Sequence, residues 1–120
     1  MKRVYTLSSC DTSRRIIKQL QLVQKGFDVI DIKKHPLTEV DLSLMRGLST
    51  GYESLFSRRS RQYSAMGLKD HALSEQDYKE LILSDYTFLK RPVIIVDKHI
   101  FIGNSPITVK SAELILMTRF

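Results

Sequence analysis

The chain has 120 residues, 42% hydrophobic and 27% charged, with a formal net charge of +6, ordinary figures for a globular protein with a proper core. No apolar run approaches the ~20 residues of a membrane span, and Met1-Lys2-Arg3-Val4-Tyr5 lacks the apolar stretch of a signal peptide. One cysteine excludes an internal disulfide and a cysteine-rich zinc site, and points to a reducing cytoplasm.

Arg3-Val4-Tyr5-Thr6-Leu7 alternates polar with apolar and reads as a first strand. Ile16-Ile17, Leu20 and Leu22-Val23 recur at helical spacing and read as a helix. It stops at Lys25-Gly26, with glycine just past its end. Between them lies Ser8-Ser9-Cys10-Asp11-Thr12-Ser13-Arg14. The single cysteine therefore sits at a strand-to-helix turn, at or near a helix N-terminus. Unpaired N–H groups and the positive dipole end favour a thiolate there, and Arg14, one turn on, adds positive charge. Such settings lower a thiol from ~8.5 to roughly 3.5–7.5, and the same N–H groups can hold an oxyanion. Cys10 is the candidate nucleophile.

Phe27-Asp28-Val29-Ile30-Asp31-Ile32 alternates as a second strand, which makes a βαβ unit with parallel strands. Lys33-Lys34-His35-Pro36 breaks the pattern. Thr38 with Asp41 is a near capping box, opening a helix through Val40 and Leu44 to about Gly47. Ser49-Thr50-Gly51 is a turn and Tyr52-Glu53-Ser54-Leu55-Phe56 a short helix. Arg58-Arg59-Ser60-Arg61-Gln62-Tyr63 continues it or starts another that closes at Gly67. Ser74 with Asp77 repeats the capping signal before a helix through Leu81-Ile82-Leu83. Val93-Ile94-Ile95-Val96 has the unbroken apolar character of a central strand. Pro92 is tolerated because it precedes the ladder. Asp97-Lys98 is a tight turn and His99-Ile100-Phe101-Ile102-Gly103 the return strand. Ser105 as N-cap and Pro106 at the first helical position open a last helix. That helix is expected to bury Ile107, Ala112, Leu114 and Ile115 or their neighbours.

This order is that of an α/β, thioredoxin-like fold. It predicts a mixed four-stranded sheet in a single domain over residues 1–120, with a helical insertion (about residues 38–89) between the βαβ and ββα halves. In such folds the proline before the third strand is cis and lies against the active thiol, so a cis Arg91-Pro92 bond is expected. His35, His71 and His99 are scattered without ligand spacing, and no metal is expected. Positive charge is dispersed over Arg14-Arg15, Lys33-Lys34, Arg58-Arg59-Ser60-Arg61 and Lys90-Arg91, which suits small anions. With no helix-turn-helix signature or aromatic stacking platform, direct DNA binding is not expected.

Four stretches together resemble the ArsC/Spx family, glutathione-linked arsenate reductases and their relatives, over essentially the whole chain. They are Cys10-Asp11-Thr12-Ser13-Arg14, Leu55-Phe56-Ser57-Arg58-Arg59-Ser60, Lys90-Arg91-Pro92-Val93-Ile94 and Ile102-Gly103-Asn104. The family motif C-x-T-[SC]-R is matched at every fixed position. In the family's arsenate reductases the cysteine thiolate attacks arsenate and glutathione attacks next. A glutaredoxin resolves the mixed disulfide and arsenite leaves. Three arginines hold the oxyanion. Carried over, Cys10 matches the nucleophile and Arg91 the arginine before the cis-proline. The insertion arginine is Arg58 by the spacing of the reductases. It is Arg59 by the Arg-Ser-x-x-aromatic pattern of Spx-like members, with Tyr63 as the aromatic. Asn104 stands where the third arginine would, and Thr6 where the best-known reductases carry a histidine. Spx-like regulators bind RNA polymerase, and many carry a C-x-x-C switch. Ser13 at the second position removes that disulfide, yet it can donate a hydrogen bond to the thiolate. Ile16 excludes a phosphatase-type C-x5-R loop.

Residues and resemblance together imply a monothiol, glutathione-linked oxidoreductase. Cys10 attacks an oxyanion or a glutathione-linked substrate, and Arg14 tunes the thiol. Arg91 with Arg59 or Arg58 clamps the anion, while Thr12, Ser13 and Asn104 offer neutral polar groups. The Pro92 segment offers backbone groups to a glutathione-like tripeptide. No cofactor is held. Glutathione is a co-substrate and glutaredoxin a recycling partner. The alternative is a cytoplasmic, non-enzymatic Spx-like regulator that docks on RNA polymerase through its basic insertion.

Overall fold

The alternating stretch Arg3-Val4-Tyr5-Thr6 forms β1 (Lys2–Thr6), an inner strand of a four-stranded sheet, in the computed structural model, which describes residues 1–119. The other strands are β2 (Asp28–Asp31), β3 (Val93–Val96) and β4 (His99–Ile102), in the order β2-β1-β3-β4. β1 runs parallel to β2 and antiparallel to β3, and β3 runs antiparallel to β4. This is the mixed sheet predicted from the element order. Val96 pairs with His99, so the β3–β4 loop has two residues, and Asp97 takes φ 52° there. Two-residue hairpins need that left-handed geometry, and aspartate tolerates it.

Helix α1 (Asp11–Gln19) follows β1. Helices α2 (Glu39–Leu48), α3 (Tyr52–Leu55), α4 (Arg61–Ala65) and α5 (Glu75–Ser84) lie between β2 and β3, and α6 (Pro106–Arg119) follows β4. The chain divides into two compact units, Met1–His35 with Arg91–Phe120, and Pro36–Lys90.

One buried cluster of the first unit lies on one face of the sheet. Val4, Ile94 and Val96 point that way, as the strand period of two requires. They pack with Ile16, Leu20, Leu22, Phe27, Ala112 and Leu116 in one buried cluster. Each large aliphatic side chain contributes about 1.5–3 kcal/mol on full burial. Two expectations are corrected here. α1 ends at Gln19 and not at Lys25-Gly26, because Gln21 takes φ 54° and turns carry the chain on to Gly26 at φ 82°. Leu20 and Leu22 are both buried from these turns, which imitates helical spacing in the sequence. Lys25 Nζ closes the segment by donating to the Leu20 carbonyl at 2.9 Å. α6 opens as expected, with Ser105 Oγ accepting from the Thr108 N–H at 3.2 Å. It buries Ala112 and Leu116, however, and leaves Ile107 81% and Leu114 52% exposed. Apolar residues lie on every side of this helix, so spacing alone could not choose its buried face.

In the second unit both capping boxes form in full. The Thr38 and Ser74 hydroxyls accept from the N–H groups of Asp41 and Asp77, and each aspartate accepts from the N–H of its cap. Removing a cap of this kind costs ~0.5–2 kcal/mol. The Arg58–Tyr63 stretch does not prolong α3; it leads into the separate helix α4, capped by the Ser60 hydroxyl. Phe56 stacks on Phe88 with ring centroids 5.1 Å apart and tilts against Tyr78 at 4.9 Å. The Ser57 N–H donates to the Phe88 carbonyl and the Lys90 N–H to the Leu55 carbonyl, which ties residues 55–57 to residues 88–90.

Among the described residues no helix is long and apolar enough to cross a membrane. No group of three or more His, Cys, Asp or Glu side chains among them is placed to hold a metal ion.

Candidate functional site

Residues 7–10 join β1 to α1 in a tight turn, closed by the Cys10 N–H donating to the Leu7 carbonyl at 2.8 Å. Cys10 occupies the N-cap of α1 with extended dihedrals, φ −92° and ψ 105°, and its carbonyl accepts the first helical bond from the Arg14 N–H at 3.1 Å. The sulfur is half-buried and accepts a hydrogen bond from Ser13 Oγ at 3.3 Å. Ser13 is fully buried, so its hydroxyl is held in place. Burial pushes the thiol up. Hydrogen bonds from the Ser13 hydroxyl and backbone N–H and from the Arg91 guanidinium, together with the Arg91 charge, outweigh it, and the net shift is downward. Donors aimed at the charged form stabilise thiolate over thiol.

The positive charge on Cys10 thus comes from Arg91, on the segment entering β3. The Arg91-Pro92 bond is cis and Pro92 is buried. The Pro92 carbonyl accepts from the Gly103 N–H at 2.9 Å, which ties this segment to the end of β4. Arg14 points its guanidinium at Asp11 in an ion pair one turn apart. Thr12 is half-buried in the first turn of α1.

Asp31, at the end of β2, was not singled out from the sequence. Its carboxylate lies below the usual range chiefly because the Ser8 hydroxyl donates to it, with the Lys33 and Ser8 backbone N–H groups adding to the effect. Only the parallel β1–β2 register, which sets Thr6 opposite Asp31, brings it to the Cys10 turn.

The sequence model of the ArsC family matches residues 5–112. The chain belongs to the ArsC family. The crystal structure of a possible arsenate reductase from Streptococcus mutans UA159 is 33% identical, with a TM-score of 0.66 over 83% of this chain and 87% of that one. The global transcriptional regulator Spx of Enterococcus faecalis is 28% identical over 104 residues, covering 86% of this chain and 79% of that protein. An arsenate reductase from Vibrio cholerae is similar in fold, with a TM-score of 0.75 at 18% identity over 92% of this chain and 95% of that one. Similar proteins of the ArsC family thus include both reductases and regulators.

The remaining ArsC-family positions fall as follows in this chain. Asn104 is exposed after β4 and lines a shallow cleft with Arg15, Gln19, Val109 and Lys110, a lining that does not include Cys10. Thr6 is buried, and its hydroxyl has no hydrogen-bond partner among the described residues. Arg58 is engaged within its own helical unit. It donates to Tyr78 Oη at 2.9 Å, lies 3.7 Å from the Glu53 carboxylate and sits over the Phe56 and Tyr78 rings. Arg59 is exposed, and its guanidinium has no ion-pair partner among the described residues.

Proposed function

We propose that this ArsC-family chain is a monothiol oxidoreductase whose Cys10 thiolate attacks an oxyanion or a glutathione-linked substrate. The observation that carries this reading is the half-buried Cys10 sulfur at a helix N-cap, with Ser13 and Arg91 donating to it. A helix N-terminus and a guanidinium also suit the anion that such a nucleophile would meet. With arsenate as substrate, the two electrons come from Cys10 and one glutathione thiol. These end as a mixed disulfide, arsenite is released, and a glutaredoxin with further glutathione restores Cys10. Arg91 holds the oxyanion, with Arg59 as the insertion arginine. No resident cofactor enters this chemistry.

The test has two parts. Iodoacetamide alkylation of Cys10 should reach half its plateau rate well below the ~8.5 of a free thiol. Arsenate turnover with glutathione and glutaredoxin should be abolished by Cys10→Ser. An ordinary midpoint together with no turnover on arsenate or on a glutathione mixed disulfide defeats the reading.

The regulator of E. faecalis favours a second reading, a transcriptional regulator that binds RNA polymerase. Ser13 would then deprive it of a C-x-x-C switch. Retention of the chain on RNA polymerase, unchanged by Cys10→Ser, would support this role over the first. Both roles suit a reducing cytoplasm, where a single thiol stays free.

A further inference from the structure

We propose that the cleft between α1 and α6 is a second binding site, for a short peptide-like acid: a carboxylate with an adjoining amide and a small apolar side chain. The cleft encloses about 410 Å³, and its lining does not include Cys10. Small-molecule sites span about 300–1,000 Å³. The site does not depend on the role of Cys10. Its origin is legible in the two helices. Both pack on one face of the sheet, through Ile16 of α1 and through Ala112 and Leu116 of α6. Neighbouring helices close on each other when the side chains along their facing rows interdigitate. Here α1 turns Arg15, Ile16 and Gln19 to the cleft, and α6 turns Pro106, Val109, Lys110 and Glu113. Ile16 and Val109 belong to the buried cluster and its margin and form the apolar floor. The charged and amide side chains beside them hold the helices apart.

The polar groups of the cleft differ in what they already bind. Lys110 Nζ donates to Glu113 Oε1 at 3.0 Å, so these two charges satisfy each other. In the loop before α6, Ser105 Oγ donates to the Thr108 hydroxyl at 2.8 Å and accepts from the Thr108 N–H at 3.2 Å. The Ser105 carbonyl accepts from the Val109 N–H at 3.0 Å. The Arg15 guanidinium and the Gln19 and Asn104 carboxamides, by contrast, have no partner among the described residues. The cleft thus carries one positive charge in excess, Arg15 and Lys110 against Glu113, together with three uncommitted hydrogen-bonding side chains.

That set selects the ligand. A guanidinium takes a carboxylate through two parallel N–H bonds. A single charge in excess, with the Glu113 carboxylate in the same cleft, favours a monoanion over a dianion such as phosphate. Each carboxamide presents both a donor and an acceptor, the complement of a peptide group. Pro106, Val109 and Ile16 offer apolar surface to a small side chain. The test is a titration of the intact, isotope-labelled chain with N-acetyl-glycyl-valine, followed through its amide NMR signals. A ligand of this size should bind with a Kd on the order of 1 mM, with shifts at Arg15, Gln19, Asn104 and Val109. Arg15→Gln, or a peptide whose carboxylate is capped as an amide, should weaken binding at least about 10-fold, the worth of a charge-assisted hydrogen bond. Gln19→Ala and Asn104→Ala should each weaken it about 2- to 12-fold, the worth of a neutral one. Lys18→Gln removes an exposed cation of the same helix that does not line the cleft, and should change nothing.

Arg15, Gln19 and Asn104 are exposed, so their variants leave the core intact, and circular dichroism checks this. Absence of shifts at the cleft residues at about ten times the expected Kd overturns the proposal. Equal binding of the amide-capped peptide overturns it too, because the carboxylate would then not be recognised. So does an effect of Lys18→Gln as large as that of Arg15→Gln, the sign of diffuse attraction between an acid and a basic surface. Shifts centred on Cys10 and Ser13 would assign the peptide to the thiol and not to the cleft.

Discussion

The Ser13 hydroxyl donates to the Cys10 sulfur across 3.3 Å, one turn along the helix that Cys10 caps. A second cysteine at that position would make a dithiol. A buried serine makes instead a fixed donor to a lone thiolate. The residue that rules out an internal disulfide switch is therefore the one that donates to the lone sulfur.

Ser13→Ala removes that donor while leaving the backbone N–H of residue 13 in place. The Cys10 midpoint, read from alkylation against pH, should rise by about 0.4–1 unit, from a hydrogen bond worth ~0.5–1.5 kcal/mol. Arg91→Ala removes both a donor and a charge and should raise it further. Arg14→Ala should leave it nearly unmoved, since Arg14 is paired with Asp11. Equal shifts for Arg14→Ala and Arg91→Ala would contradict this assignment of the charge.

Asn104 stands where arsenate reductases of the family carry their third arginine, and it offers neutral donors only. A charge-assisted hydrogen bond contributes roughly 1.5–3 kcal/mol, so if Cys10 acts on arsenate its absence would weaken anion stabilisation about 10- to 150-fold. Asn104→Arg should raise arsenate turnover at least several-fold in an assay with glutathione and glutaredoxin. Efficient wild-type turnover, unchanged by the substitution, would show that the departure is immaterial.

Arg58 and Arg59 should separate by readout. Arg58→Ala breaks the contacts with Tyr78, Glu53 and the Phe56 ring and should lower thermal stability by about 1–2 kcal/mol. Arg59→Ala should leave the melting temperature unchanged. If an insertion arginine serves the substrate, the loss of turnover at constant stability belongs to Arg59→Ala. Full activity in Arg59→Ala would remove it from the site.

Gly51 offers a test of the helical unit. A Cβ there would lie 2.6 Å from Glu75 Oε1, the oxygen that accepts from the Tyr52 N–H at 2.8 Å. The other oxygen accepts from the Glu53 N–H at 3.0 Å, so Glu75 caps the start of α3. Gly51→Ala should displace this carboxylate and destabilise the unit by ~1.5–3 kcal/mol, the worth of a hydrogen bond to a charged group. A melting curve identical to wild type would mean that Glu75 moves aside at no cost.

Local signals were enough for much of this protein. Strand alternation, two Ser/Thr-x-x-Asp caps, Pro106 after Ser105 and the unbroken run Val93-Ile94-Ile95-Val96 each act within a few residues, and each formed as read. They specified the element order, and the element order specified the mixed sheet. They also placed Cys10 at a helix N-terminus, because the strand before it and the helix after it are both written in the chain. Other features depend on what distant residues do. The end of α1 was decided by burial of Leu22 from a turn, and the inner face of α6 by where the sheet lies, since Ile107 and Leu114 are as apolar as Leu116. The charge on the thiol was decided in the same way. Arg14 is near in sequence but is claimed by Asp11, whereas Arg91 is eighty-one residues away and is delivered by β3 beside β1. Asp31 stands opposite Thr6, beside the Cys10 turn, only because β2 lies parallel to β1 in one particular register. Hydrogen bonds and charges act over a few ångströms in space, and separation along the chain says little about that distance until strand pairing has brought the residues together.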